Sequence, residues 1–243
     1  MRRAVRESPD SVLTKIFEAG FGTGYYLDMW RQLGVTTVTG IDLSSDAVAF
    51  SQARHSAYEI RQADLTSVDT WSDWPGHRGI YSLALAIDVL YHIVDDADAT
   101  HAVRNLARLV KPGGYVWLTE KFKRTDTRRN EGAHVRRRSR EWYEAILREE
   151  GLVPDREYPV FFCMDPPLLY GRPNISTMVG YALWVAIRLP LRCLPRRSRA
   201  QEVCGWILGT VGLVIDHLFL DRISSPPNLV LATYRLPYVP EGV

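Results

Sequence analysis

Short apolar runs alternate with segments of helical periodicity along most of the chain. The runs that predict strands lie, in chain order, at 16–19, 38–43, 58–62, 81–88, 115–121, 155–163 and 229–236. Apolar positions at helical spacing predict helices at 25–33, 45–55, 95–110 and 139–151. Alternation of this kind predicts a parallel sheet with helices on both faces.

A glycine-dense turn follows the first strand. Residues 16–24 read IFEAGFGTG, and the helix predicted at 25–33 begins directly after them. Glycine lets the backbone approach a ligand closely, and the first N–H groups of the new helix point toward the same place. The turn has neither a Gly-Lys-Ser/Thr sequence nor the G-x-G-x-x-G spacing of dinucleotide sites. Its acid, Glu18, favours a cationic ligand over a diphosphate.

Further acids follow the next three strands. Asp42 ends the second strand, where a carboxylate accepts hydrogen bonds from ribose hydroxyls. Asp64 and Leu65 follow the third strand. A carboxylate at this place suits an exocyclic amine, and an apolar side chain suits the face of a purine. Asp88 begins the run DVLYH after the fourth strand. Together they predict a nucleoside site at one edge of the sheet.

With these motifs in this order, the chain resembles the class I S-adenosylmethionine-dependent methyltransferases. The matching motifs are E-x-G-x-G-x-G at 18–24, GIDL at 40–43, ADL at 63–65, DVLYHI at 88–93 and LVKPGGY at 109–115. The resemblance covers residues 14–162 and the last strand. It implies a Rossmann-like, doubly wound α/β sheet of seven strands in the order 3-2-1-4-5-7-6, with the last strand antiparallel.

The resemblance also implies S-adenosylmethionine as cofactor and a role for each matching residue. The methionine moiety of the cofactor is expected at Glu18, Gly20, Gly22, Thr23 and Gly24. Its ribose is expected at Asp42 and Leu43, its adenine between Asp64 and Leu65, and its amino group and transferred methyl near Ile87 and Asp88.

Methyl transfer needs a general base only when the acceptor must lose a proton. The candidates are His92, Tyr91, Glu120 and His134, of which His92 follows the strand end that faces the donor methyl. An imidazole suits proton transfer at neutral pH. The alternative for His92 is a helix-start histidine bonded to backbone, and for His134 a solvated loop residue.

A basic loop follows the fifth strand. From 121 to 140 there are nine Lys/Arg residues against two acids. Five arginines of this loop suit an anionic acceptor, because a guanidinium group binds anions in a bidentate manner. They are Arg128, Arg129, Arg136, Arg137 and Arg138. The alternative is a solvated surface loop. We therefore expect a small-molecule acceptor, anionic or glycosidic. The rival hypotheses are an RNA or protein methyltransferase, a membrane-surface methyltransferase that acts on a lipid-linked acceptor, and a non-catalytic binding module.

Residues 165–224 do not fit the alternation and predict a helical insertion in a domain formed by 1–164 and 225–243. Two apolar segments, 177–194 and 203–220, flank a basic turn that begins at Pro195. The insertion favours a cap over the substrate pocket or a homodimer interface, with a membrane-surface anchor as the third hypothesis. Pocket candidates under a cap are Tyr170, Trp184 and Trp206.

Composition adds little that is specific. A hydrophobic fraction of 46% in 243 residues supports a substantial core, and a net charge of +2 identifies no partner. The three cysteines have no metal-ligand spacing, so we expect reduced thiols and no metal site. The N-terminus has no apolar region of signal-peptide type. These features predict a cytoplasmic protein.

Overall fold

A seven-stranded sheet is the largest element of the computed structural model, which describes residues 1–67, 76–122, 133–161, 163–165, 175–220 and 229–238. The chain divides into two compact units. One unit comprises Arg2–Arg156 and Ala232–Val243, and the other comprises Met1 and Glu157–Leu231.

Strands and helices alternate as the hydrophobic pattern predicts. The strands are β1 Ile16–Ala19, β2 Val38–Asp42, β3 Glu59–Gln62, β4 Tyr81–Ala86, β5 Val110–Glu120, β6 Val153–Pro159 and β7 Val230–Arg235. The helices are α1 Arg2–Glu7, α2 Tyr25–Gln32, α3 Ser45–Arg54, α4 Asp96–Leu109, α5 Arg140–Glu149, α6 Ile175–Cys193 and α7 Arg199–Phe219. Short 3-10 helices lie at Asp10–Leu13 and Leu90–His92.

The strand order is β3-β2-β1-β4-β5-β7-β6, which confirms the predicted topology. The pairs β2–β3, β1–β2, β1–β4 and β4–β5 are parallel. The last strand runs against β6, since the backbone N–H of Val160 donates to the carbonyl of Leu229 while Arg156 bonds to Thr233. The order reverses direction between β1 and β4, and the carboxyl ends of strands at such a point border a ligand crevice.

Burial explains why β1 and β4 are central. Every residue of both strands is buried, whereas most of β6 is exposed at the edge of the sheet. A strand covered on both faces reads as a nearly continuous apolar run, and β1 and β4 have one polar residue each, Glu18 and Ser82. The core therefore lies on both faces of the strands whose carboxyl ends form the candidate site.

Serine caps begin two of the predicted helices. The hydroxyl of Ser44 accepts a hydrogen bond from the backbone N–H of Ala47, and the hydroxyl of Ser139 accepts one from Trp142. Two short helices lie before the first predicted strand. Helix α1 was not predicted, and the 3-10 helix that follows it is preceded by Pro9 and has no side-chain cap.

Strand β5 begins at Val110, five residues before the predicted start at Tyr115. The sequence Lys-Pro-Gly-Gly was expected to end helix α4 and form a turn. Instead, Gly113 donates to the carbonyl of Leu236, and Leu236 donates to the carbonyl of Gly114. Pairing with the distant strand β7 thus extends β5 through residues whose local preference is a turn.

The second unit contains the two predicted apolar helices, α6 and α7, joined by a turn. They pack closely where α7 has glycine, because a Cβ at Gly212 would lie 3.1 Å from Cδ1 of Ile187. The carboxylate of Asp216 accepts a hydrogen bond from the backbone N–H of Cys163 at 2.7 Å. Small residues and one buried acid therefore occupy the inner face of α7.

Candidate active site

The glycine turn between β1 and α2 contains three residues with positive φ. Gly20, Gly22 and Gly24 have φ values of 68°, 52° and 79°, which other residues rarely adopt. A Cβ at Gly20 would lie 2.4 Å from Cγ2 of Val89, so this position has no space for a side chain. A Cβ at Gly22 would meet nothing within 4 Å. The turn therefore leaves open space beside the backbone of Gly22.

The carboxylate of Asp42 ties this turn to the end of β2. Its Oδ2 accepts a hydrogen bond from the backbone N–H of Gly22 at 2.8 Å, and its Oδ1 accepts one from Ser44 at 2.9 Å. Each carboxylate oxygen can accept a second hydrogen bond. The side chain is thus held in place and keeps acceptor capacity for the two hydroxyls of a diol.

A cleft of about 300 Å³ opens at the carboxyl ends of β1, β2, β3 and β4. Seven predicted site residues line it, namely Gly20, Asp42, Leu43, Asp64, Leu65, Asp88 and His92. Four residues that were not predicted, Thr66, Val89, Ile41 and Ile93, complete much of its wall. The structure therefore brings acids from three separate strand ends to one cavity.

Other predicted site residues do not line this cleft. They are Glu18, Gly22, Thr23, Gly24, Ile87, Tyr91 and His134. Gly22 and Gly24 shape the turn that borders it, and Thr23 is exposed. Ile87 is buried, with 8% of its surface exposed, just before Asp88.

The Asp64 region forms one side of the cleft. Oδ1 of Asp64 accepts hydrogen bonds from both the backbone N–H and the hydroxyl of Thr66, each at 2.8 Å. Asn105 on α4 donates to the carbonyl of Leu65 at 2.8 Å and so anchors the segment. Leu65 is buried beside a fixed carboxylate, an arrangement that suits a planar base carrying an amino group.

Asp88 has a strained backbone at the end of the fourth strand. Its φ is 59°, a value uncommon for a residue other than glycine. Thr119 on β5 holds it there. The backbone N–H of Asp88 donates to the Thr119 hydroxyl at 2.8 Å, and that hydroxyl donates to Oδ1 of Asp88 at 3.1 Å. The conformation places the Asp88 carboxylate at the cleft.

Glu18 is almost completely buried and faces helix α2. Its Oε2 accepts a hydrogen bond from the indole N–H of Trp30 at 2.8 Å. Burial raises the pKa of Glu18 to about 8, against the smaller lowering effect of this hydrogen bond. Tyr26 lies near enough that, after burial, the charges of Asp88 and Glu18 help to raise the pKa of its phenol to about 12. Without a cationic ligand, the Glu18 carboxyl is therefore mostly protonated at neutral pH.

We expect Glu18 to couple stability and ligand binding to pH. Because its folded pKa lies above the ordinary value of 4.5, its contribution to stability is lost as pH rises from about 4.5 to 8. The loss amounts to several kcal/mol, at about 1.4 kcal/mol per pKa unit. A nearby cation favours the ionised carboxylate, so affinity for a cationic ligand should rise over the same pH range.

The measurement is the difference between the wild type and Glu18→Gln in chemical unfolding and in calorimetric titration across this pH range. Burial raises the pKa of Glu120 to about 7, so this residue also contributes to the pH dependence of stability. Its contribution is common to both proteins and cancels in the difference. Parallel pH profiles for the two proteins would contradict the assignment.

His92 combines access to the cleft with a defined orientation. It ends the 3-10 helix Leu90–His92, which buried Leu90 anchors in the core. The imidazole is exposed, and its Nδ1 lies 3.4 Å from the backbone carbonyl of His134. A proton on Nδ1 would point to this carbonyl and leave Nε2 as the basic nitrogen.

The other two catalytic candidates lie next to His92. The ring centroid of Tyr91 is 4.4 Å from that of His92, and the Tyr91 carbonyl accepts a hydrogen bond from Arg136. His134 is exposed and contacts His92 through its backbone oxygen. Among the three, His92 is the residue that lines the cleft.

Arg136 and Arg138, in the described end of the basic loop at 133–140, contact helix α4. Arg138 is fully buried, and its guanidinium bonds to Asp96 and to the carbonyls of Ile93 and Asp95. Arg136 forms a second ion pair with Asp96. The interpretation of these two arginines as acceptor ligands was therefore wrong. Arg128 and Arg129 lie outside the described residues, as does Tyr170.

Glu120 is buried at the end of β5, where it accepts hydrogen bonds from the phenol of Tyr143 and the backbone N–H of Lys121. Burial, followed by the neighbouring Glu120, raises the pKa of Tyr143 well above its usual range. The carboxyl group does not line the cleft. Glu120 therefore forms a polar contact within the core beside the loop.

Known proteins resemble the part of the chain that carries this site. Residues 16–114 match the family model described as "Methyltransferase domain". The chain is 32% identical over 108 residues to a ubiquinone biosynthesis O-methyltransferase of Thiobacillus denitrificans, with 43% of each chain covered. It therefore spans less than half the length of that relative.

Solved structures resemble the whole fold. A Mesorhizobium loti S-adenosylmethionine-dependent methyltransferase has a TM-score of 0.55 at 17% identity, with 96% of both chains covered. The methyltransferase in a complex with the Haloferax volcanii Trm112 methyltransferase activator has a TM-score of 0.58 at 16% identity, with 99% of this chain and 90% of that chain covered. At such identities the likeness concerns the fold.

Proposed function

For a chain that carries a class I S-adenosylmethionine-dependent methyltransferase domain, we propose transfer of a methyl group from S-adenosylmethionine to a hydroxyl oxygen of a small molecule. The observation that carries the proposal is the cleft at the strand ends. It joins Asp42, Asp64 and Asp88 with a histidine on one wall. The three acids suit a cationic nucleoside, and the imidazole suits an acceptor that must lose a proton.

The residues of the cleft fit the cofactor. Asp42 keeps acceptor capacity for the ribose diol, while Asp64 and Leu65 combine a carboxylate with a buried apolar side chain for adenine. Asp88 and the buried Glu18 supply negative charge for the amino group and the sulfonium. The open space at Gly22 leaves room beside the turn. When bound, S-adenosylmethionine supplies a methyl group whose departure leaves a neutral thioether.

Proton removal is the main chemical task left to the protein. A hydroxyl group is a weak nucleophile until it loses its proton, and an oxygen–methyl bond can form once a base accepts that proton. His92 is our candidate for this role, since it lines the cleft and a proton on Nδ1, directed to the His134 carbonyl, would leave Nε2 as the acceptor. Positioning of the acceptor beside the donor supplies the rest of the rate enhancement.

The choice of oxygen rests on the relatives and on the candidate base. Matched relatives include proteins named as ubiquinone biosynthesis and malonyl-[acyl-carrier protein] O-methyltransferases. A base at the cleft is consistent with a hydroxyl acceptor. Arg136 and Arg138 already form ion pairs with Asp96, so these two arginines do not argue for an anionic acceptor. We therefore favour a neutral or glycosidic acceptor.

We propose that the protein is cytoplasmic. The three cysteines are free thiols, and Cys163 is buried. Reduced cysteines are usual in that compartment. Fractionation of cells, with the protein detected in cytosol and membrane pools, tests this placement.

Calorimetric titration with S-adenosylmethionine, followed by an acceptor screen, tests the proposal. We expect one binding site per chain and formation of S-adenosylhomocysteine only with hydroxylated acceptors. Methyl-labelled donor and analysis of the product locate the new bond. Absence of cofactor binding would overturn the assignment, whereas a methyl group found on nitrogen or carbon would overturn only the choice of acceptor.

A further inference from the structure

Helix α7 exposes a continuous apolar stripe. Its members recur at helical spacing on one face and are each between 46% and 74% exposed; they are Val203, Trp206, Ile207, Val211, Val214 and Leu218. Thr210 lies in the same stripe, but its hydroxyl donates to the carbonyl of Trp206. The helix is long and apolar enough to cross a membrane, yet only 11% of its most apolar window is buried. Such exposure indicates a partner surface.

Helix α6 carries a second apolar stripe. Ile175, Met178, Val179 and Leu189 are each at least 45% exposed, and no charged residue precedes Arg188 in this helix. The inner face of α7 packs through Gly205 and Gly212 and buries Asp216. Each helix is thus one-sided, which is the pattern of helices that lie in a membrane interface.

Five arginines surround the turn between these helices. They are Arg188, Arg192, Arg196, Arg197 and Arg199, and residues 175–201 contain no acid. Within the described part of the chain, none of the five forms an ion pair. Unneutralised arginines beside apolar stripes complement lipid phosphates above a hydrocarbon layer.

A cleft at this turn is a second feature that suits a phospholipid. It has a volume of about 670 Å³ and is lined by Arg188, Arg192, Arg196, Leu191, Leu194 and Gln201. Guanidinium groups bind phosphate in a bidentate manner. The two leucines supply apolar surface beside them. A phospholipid headgroup and the start of its acyl chains present the same combination.

We propose that the hairpin α6–α7 binds the surface of a bilayer that contains anionic phospholipids, with its apolar stripes in the interface and its arginines on the phosphates. A symmetric dimer through this face is disfavoured, because the two helices and their turn offer one exposed acid, Glu202, against five arginines. A spanning hairpin is disfavoured because it would carry five arginines across the membrane.

Vesicle flotation of the full chain tests this proposal, with phosphatidylcholine vesicles that contain or lack phosphatidylglycerol. We expect flotation with the anionic vesicles and its reduction by added salt. Combining Arg192→Gln, Arg196→Gln and Arg197→Gln should weaken binding roughly 100-fold, at about fivefold per arginine. The matched control combines Arg31→Gln, Arg61→Gln and Arg148→Gln, which removes the same charge from exposed positions of the other unit.

A second pair of variants tests the apolar stripe. Trp206→Glu with Val214→Glu should abolish flotation, whereas Phe50→Glu with Val153→Glu, also at exposed positions, should leave it intact. Circular dichroism and cofactor titration establish that the variants fold. Equal binding to both vesicle types, absence of flotation, or a stable dimer that Trp206→Glu dissociates while vesicles fail to bind would each overturn the proposal. The vesicle result does not depend on methyl transfer.

Discussion

Replacing His92 with alanine is expected to lower kcat by about 10² to 10⁴, the usual contribution of a positioned general base. The imidazole lines the cleft, and Nε2 would be its basic nitrogen when Nδ1 carries the proton toward the His134 carbonyl. Affinity for S-adenosylmethionine should change little, because His92 is expected to act on the acceptor. Steady-state kinetics with the acceptor found by screening, together with calorimetry, measure the two effects.

Comparing kcat with binding and stability separates a base from a packing residue. If His92 accepts the proton, kcat falls in His92→Ala while the Kd for S-adenosylmethionine and the thermal unfolding midpoint stay close to those of the wild type. His101→Ala is the matched control, since His101 lies exposed on α4 and does not line the cleft. Wild-type kcat in His92→Ala would assign the base to another group.

Replacing Asp42 with alanine is expected to weaken binding of S-adenosylmethionine roughly 100-fold, because two charge-assisted hydrogen bonds contribute about 3 kcal/mol when they are lost together. The same change removes the acceptor for Gly22 and Ser44, so the turn itself loosens. Calorimetric titration gives the change in Kd, and thermal unfolding gives the change in stability.

Two further variants identify which effect dominates. Asp42→Asn keeps one carbonyl oxygen as acceptor and should fall between the wild type and alanine. Asp46→Ala removes an exposed acid in the first turn of α3 and should bind the cofactor normally. Undiminished affinity in Asp42→Ala would remove the ribose assignment and with it the central argument for the cofactor.

Local patterns predicted most of the fold. The alternating apolar runs identified all seven strands, and two of the helices predicted from apolar spacing begin at the caps Ser44 and Ser139. Predictions failed where distant pairing overrides local preference. Strand β5 extends through Pro112 and Gly113 because Leu236 pairs with this segment, and no residue near 113 indicates that partner.

The sequence predicted the acids of the candidate site more fully than the residues that hold those acids in place. Asp42, Asp64, Asp88 and His92 were found because each follows a strand end. Thr119, which holds Asp88 in its strained conformation, lies 31 residues away on the neighbouring strand and carries no motif. Arg138 shows the reverse case, since a basic loop residue became a buried partner of Asp96.

The sequence by itself determined the order of the elements, the glycine turn and the set of acids at the strand ends, because turn chemistry and apolar periodicity are local properties. Only the tertiary structure decided the environment of each charge, because burial and hydrogen-bond partners depend on residues far away in the chain. It buried Glu18 against Trp30 and raised its pKa to about 8. It also left the outer stripe of α7 exposed, a distinction that apolar composition alone cannot make.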